Sequence, residues 1–206
     1  MNKVTRRTLL RSAASAAATA GLRARSDESA APIPALRTFP YGAVQLTGGP
    51  LKRQFDENHN FYLHLSEDRL LKIYRQRAGL PAPGENMGGW YDDFCPGAHF
   101  GQYVSALARF SAVTSSRETR AKVGRLVHGY ARTLDASGKI FVDLRYPAYT
   151  YDKLVCMLND AHSCVGERDA AAILQSTTRA ARPHMAEKAL TKQERLERPH
   201  KDETYT

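Results

Sequence analysis

The chain has 206 residues, 42 % hydrophobic and 25 % charged, a balance that allows one full globular core and excludes a disordered or fibrous chain. Its net charge of +9 first suggests nucleic acid, but Lys3, Arg6, Arg7, Arg11, Arg23 and Arg25 lie in an acid-free stretch, and only +3 remains beyond it. Nucleic-acid binding needs a basic stripe on a folded surface; none is visible, so no nucleic-acid partner is expected.

Thr5-Arg6-Arg7-Thr8-Leu9-Leu10, followed by an Ala/Ser-rich run to Ala20, resembles a twin-arginine export signal. The apolar run of about a dozen residues is too short and too weakly hydrophobic for a membrane span. The resemblance implies the twin-arginine translocase as a partner during export, no membrane insertion, and a periplasmic or secreted bacterial protein. Residues 1–30 read as signal peptide and leader, 31–50 as linker and extended lead-in, and 51–206 as the folded domain.

Apolar spacing then predicts helices in series. From Asn58 to Arg77, Phe61, Leu65, Leu70, Leu71 and Tyr74 return on one face, interrupted near Ser66, which gives one long helix or two short ones. Gly79 and Pro81 end it. His59 and His64 within it read as surface or capping residues. A glycine-rich loop leads to a helix over 98–114, and a second helix from Glu118 to Leu134 carries Val123, Leu126, Val127 and Tyr130. Ile140 to Tyr149 is a second loop rich in Tyr and Asp. Helices are expected over 150–165 and 167–182, and a last charged helix over 187–198, with loop beyond it. No strand series with hairpin turns appears. Paired helices with long aromatic loops between pairs point to an all-α helical toroid.

The three cysteines, Cys95, Cys156 and Cys164, show no CxxC or similar metal spacing. Cys156 and Cys164 stand about 12 Å apart along one expected helix, too far for a bridge. All three read as small buried hydrophobes.

The chemistry concentrates between Gly88 and Phe110. The loop holds the one tryptophan, Trp90, beside Tyr91 and Asp92, and the helix behind it spaces Phe100, Tyr103, Leu107 and Phe110 at three and four residues. Gly101, Ser105, Ala106 and Ala108 let a neighbouring backbone approach closely. Aromatic faces cover the apolar side of a sugar ring, while His and Asp take its hydroxyls. The alternative is that Trp90 and Tyr91 plug a core edge and His99 is a satisfied polar residue at a helix start.

The run from Gly88 to Phe110 resembles the Gly-Gly-Trp … Gly-His … Gly-His-Tyr-Leu-Ser-Ala-Leu-Ala signature of glycoside hydrolase family 127, the β-L-arabinofuranosidase-like enzymes. Gly49-Pro50-Leu51, Asn58 to Leu65, Asp68-Arg69-Leu70-Leu71, Arg75 and Ala78-Gly79-Leu80-Pro81 resemble the family's opening. Tyr149-Thr150-Tyr151-Asp152-Lys153 to Asp160 resembles its Tyr … His-Lys … Gly-Leu-x-Asp helix. The match runs from about Phe39 to Gly166.

The resemblance implies an (α/α)6 barrel. Six helix pairs need on the order of 300 residues or more, so the expected fold is all-α, an incomplete part of that barrel. It also implies a glycoside hydrolase-like protein acting on or binding plant-type glycans. In the family a zinc-bound Cys thiolate is the nucleophile, with a Glu nearby and a Glu and three Cys as zinc ligands, all late in the barrel. Nothing here matches those motifs, so no catalytic residue and no metal ligand is assigned, and an inactive fragment without a cofactor of its own is expected. The early wall of the sugar pocket carries over: His99 falls on the first His of the signature, Gln102 replaces the second, and Asp152 replaces the His before the matching Lys153. Trp90, Tyr91, Tyr149 and Tyr151 are stacking candidates, with Asp92 as a polar contact. The alternatives are a non-catalytic carbohydrate-binding module, or another α/α-barrel hydrolase or lyase using Asp92 and Asp152 as acid and base.

Overall fold

The computed structural model describes residues 38–92, 95, 97–185 and 191–197, with the side chains at 194–196 set aside. The export signal, the linker up to residue 37, residues 187–190 and 198 of the expected last helix, and the tail beyond it lie outside the described residues. Among the described residues the helices are α1 (Gly49–His64), α2 (Glu67–Ala78), α3 (Ala98–Thr114), α4 (Arg117–Ala131), α5 (Pro147–Val165), α6 (Ala170–Ala181) and α7 (Lys192–Glu197). No strand occurs among them, and no helix is long and apolar enough to cross a membrane.

The interruption near Ser66 separates α1 from α2. Leu65 leaves the helix with extended backbone, and the Ser66 hydroxyl accepts the Arg69 N–H to cap α2. Lys122 of α4 holds the joint: its buried ammonium donates to the carbonyl oxygens of Leu63, at 2.7 Å, and Leu65. These are orphan acceptors of a helix end, so a cation there serves as a cap. α2 stops at Gly79, in the left-handed region at φ 73°. α5 starts three residues earlier than its apolar spacing suggests, because Pro147 at the first turn fits a helix start.

Side-chain pairs give the helix directions. Gln102 meets Tyr149 and Arg109 meets Asp160, so α3 and α5 run parallel. Glu67 meets Arg125, and Leu71 packs where a Gly129 Cβ would be, so α2 and α4 run parallel too. Tyr151 pairs with Thr178, which sets α6 antiparallel to α5. The molecule is therefore a series of antiparallel helix pairs, with α3 and α5 in one layer backed by α2, α4 and α6. This is the all-α arrangement of part of a helical barrel.

The core lies between the layers and centres on Leu70, Leu71, Phe100, Leu107, Leu126 and Tyr130, all buried. Each such aliphatic or Phe side chain contributes about 1.5–3 kcal/mol on burial. Tyr130 meets the hydroxyl of Thr177 at 3.0 Å, so its phenol is satisfied inside. The closest helix approach is α3 on α5: a Cβ at Gly101 would meet the Lys153 carbonyl carbon at 2.5 Å.

Candidate functional site

The loop before α3 is held from below by two core tyrosines. Tyr91 is buried and its hydroxyl donates to the Leu70 carbonyl at 2.6 Å. Tyr74 is buried and donates to the Gly97 carbonyl at 2.7 Å. Gly97 precedes α3 with φ 83°, and a Cβ there would meet the Tyr74 ring at 2.8 Å, so both backbone angle and space call for glycine. The Asp92 carboxylate accepts the Gly88 N–H, and the Cys95 N–H donates to the Trp90 carbonyl at 3.1 Å. These bonds fix where α3 begins, and hence where His99 points.

Trp90 and Tyr91 divide the two roles considered for them. Tyr91 is core, whereas Trp90 is 66 % exposed on the same short 3-10 turn. His99 stacks on Tyr91 with centroids 6.1 Å apart and planes 28° apart. Burial lowers the His99 pKa, so the ring is neutral at pH 7. Its Nδ1 is buried and has no hydrogen-bond partner among the described residues.

The second aromatic loop joins the first. Cys95 and Ala98 pack with Tyr146, and Tyr149 leans on that small cluster. The N-terminal ends of α3 and α5 therefore lie side by side. There the Gln102 amide reaches the Tyr149 hydroxyl at 3.5 Å, and the Lys153 ammonium sits 4.7 Å over the Tyr149 ring. Lys153 also pairs with Asp152 at 2.8 Å, which raises its pKa. Tyr151 turns away, its hydroxyl 2.9 Å from Thr178 of α6. Of the expected pocket residues, Trp90, Tyr91, Asp92 and His99 form one group and Gln102, Tyr149, Asp152 and Lys153 another, both at the start of α3 and α5.

Gln102 and Lys153 also line a cavity of about 490 Å³ whose walls include Tyr41, Phe55, Arg109 and Phe110. The last four were not expected from the sequence. Arg109 is held by Asp160, with Nε donating at 2.9 Å, and the Ser105 hydroxyl donates to the same carboxylate oxygen. Burial alone lowers the Arg109 pKa, but the Asp160 charge and hydrogen bond outweigh it. Ser105 and Arg109 are four apart on one helix face, a visible signal; that Asp160 lies opposite was not.

Titration follows from burial. His59 is half-buried against Phe110 at 4.9 Å between centroids, with Nε2 2.8 Å from the Thr119 hydroxyl. Burial lowers its pKa against the opposing charges of Asp56 and Glu118. In the unfolded chain both His59 and His99 titrate near 6.5. Below that pH the unfolded state binds more protons than the folded one, so stability falls as pH drops. Thermal melts followed by circular dichroism should show a plateau above about pH 7 and a falling melting temperature below about pH 6.5. The slope should be shallower in His59→Gln. A melting temperature that rises on mild acidification would contradict these burials.

The resemblance implies zinc bound by a Glu and three Cys, and the cysteines present do not fit that set. Cys95 is buried in the loop cluster, whereas Cys156 is exposed and Cys164 half-buried on α5, about 12 Å apart along the helix. The described group whose ligand atoms do converge contains no cysteine. The expectation that all three cysteines are buried holds only for Cys95.

Against known proteins, residues 43–203 match the model of the family described as "Beta-L-arabinofuranosidase, GH127 catalytic domain". No curated protein and no solved structure matches the chain. With the family signature on the loop and helix that carry His99, in an all-α series of helix pairs, the chain belongs to the glycoside hydrolase family 127 catalytic-domain family.

Proposed function

We propose that this chain is an exported, glycoside hydrolase-like protein that binds β-L-arabinofuranoside-type plant glycans at the N-terminal ends of α3 and α5, and that it binds them without hydrolysing them on its own. The observation that carries this reading is the meeting of the two aromatic loops at Cys95, Ala98, Tyr146 and Tyr149, with exposed Trp90 and neutral His99 on the same rim. Trp90 supplies a stacking face, His99 and Gln102 supply hydroxyl partners, and Lys153 and Asp152 supply a donor and an acceptor. Binding rather than turnover is proposed because, among the described residues, Cys95, Cys156 and Cys164 do not gather with a carboxylate into a zinc thiolate centre. Export rests on Arg6-Arg7 and the Ala/Ser-rich run after them.

Affinity electrophoresis of the chain in gels containing arabinan, cellulose-derived or mannan oligosaccharides tests the binding. Retardation by L-arabinofuranosyl glycans above the others is expected. Equal mobility in every gel contradicts glycan binding, and retardation by a different sugar class contradicts the specificity. Release of arabinose from a β-L-arabinofuranoside by the isolated chain would contradict the absence of turnover.

A further inference from the structure

On the layer away from α3 and α5, the last turn of α4 meets the connection between α5 and α6. His128 Nε2 lies 3.3 Å from an Asp169 carboxylate oxygen and 3.5 Å from one of Glu167. The three candidate ligand atoms all fall within 4.8 Å of one another. We propose that His128, Glu167 and Asp169 form a zinc-type divalent cation site that clips α4 to the α5–α6 connection, separate from the sugar pocket and unlike a Glu-and-three-Cys centre.

Three features point the same way. The first is spacing. A tetrahedral metal with bonds of about 2.0–2.1 Å holds its ligand atoms about 3.3–3.4 Å apart, and the two edges from His128 bracket that value. The 3.3 Å contact is also a long hydrogen bond between His128 and Asp169, which a bound metal would replace.

The second is charge. Two carboxylates share one imidazole, and among the described residues neither pairs with a lysine or arginine. A dication bound between them would offset both carboxylate charges at once.

The third is room. Gly124 lies one turn before His128 on the same face of α4, and a Cβ there would come within 3.3 Å of a Glu167 carboxylate oxygen. Glycine inside a helix costs about 1 kcal/mol relative to alanine. Here it leaves space for the Glu167 carboxylate to lie against the helix. One nitrogen and two oxygen donors suit zinc better than magnesium or calcium, which prefer oxygen-only shells.

The test is calorimetric titration of the whole chain with zinc sulfate at neutral pH, paired with melting curves with and without the metal. Wild type should take up one zinc at this site with a matching rise in melting temperature, because a ligand bound only to the folded state stabilises it. His128→Gln and Asp169→Asn should each weaken binding by about tenfold or more, at least the loss typical of a weakened metal shell. Both should melt like wild type without metal, since His128 and Asp169 are exposed and Asn still suits a helix start. Zinc uptake and stabilisation that are unchanged in both variants would overturn the proposal by placing the metal elsewhere, for instance on the exposed Cys156 thiol. So would a wild-type titration with no saturable zinc binding.

Discussion

Gly101→Val is expected to lower the melting temperature by roughly 6–12 °C, corresponding to a loss of about 3 kcal/mol at about 2–4 °C per kcal/mol for a chain of this size. The cause is backbone against backbone. A Cβ at Gly101 meets the carbonyl carbon of Lys153 at 2.5 Å and the Leu154 nitrogen at 3.0 Å, and neither atom swings aside as a side-chain tip would. Restricting the unfolded chain gains only about 0.4–1 kcal/mol, too little to offset the clash. α3 and α5 must separate, and the start of both helices carries the proposed sugar site, so glycan affinity should fall with stability. Ala121→Val on the exposed face of α4 is the control, with an expected cost of less than about 1 kcal/mol from helix propensity. A Gly101→Val protein that melts with the control would mean that these helices do not pack at that point.

Tyr74→Ala is expected to cost about 3–5 kcal/mol, the range for deleting a large buried aromatic. The ring packs on Phe100 at 5.2 Å and on Tyr130 at 5.2 Å between centroids, so its removal opens a hole where α2, α3 and α4 meet. Tyr74→Phe separates packing from positioning. It keeps the ring and removes one of the hydrogen bonds to the Gly97 carbonyl, which still accepts the Phe100 N–H, at a cost of about 0.5–1.5 kcal/mol. Because Gly97 starts α3 two residues before His99, Tyr74→Phe should also weaken glycan binding. Urea unfolding of both variants checks the stabilities. Equal stability of Tyr74→Phe and wild type would remove the hydroxyl from the account.

Local signals carried most of the fold. The three- and four-residue spacing from Phe100 to Phe110 placed α3 at 98–114, and its small residues marked the close approach that Gly101 makes to α5. Boundaries moved where a cap outweighed periodicity: Pro147 started α5 early, and Gly49-Pro50 started α1 within the expected lead-in. That Trp90, Tyr91, Asp92 and His99 fall in one place was legible because one segment carries them. The division between buried Tyr91 and exposed Trp90 was not, because it depends on α2 presenting the Leu70 carbonyl beneath the loop. Pairings between distant segments left no local trace. Arg109 with Asp160 and His128 with Glu167 and Asp169 each join residues about 40 or 50 positions apart, and only the stacking of one helix pair on the next brings them together.

Trp90 makes the central claim measurable without a label, since it is the one tryptophan in the chain and sits exposed next to Tyr91, on which His99 stacks. Titrating the protein with a β-L-arabinofuranosyl disaccharide while following tryptophan fluorescence should give a saturable change. In His99→Ala the same titration should be weakened by about tenfold or more, the loss expected when a site built to hydrogen-bond a hydroxyl loses its partner. A flat wild-type titration, or a curve unchanged in His99→Ala, would contradict a sugar site at the start of α3.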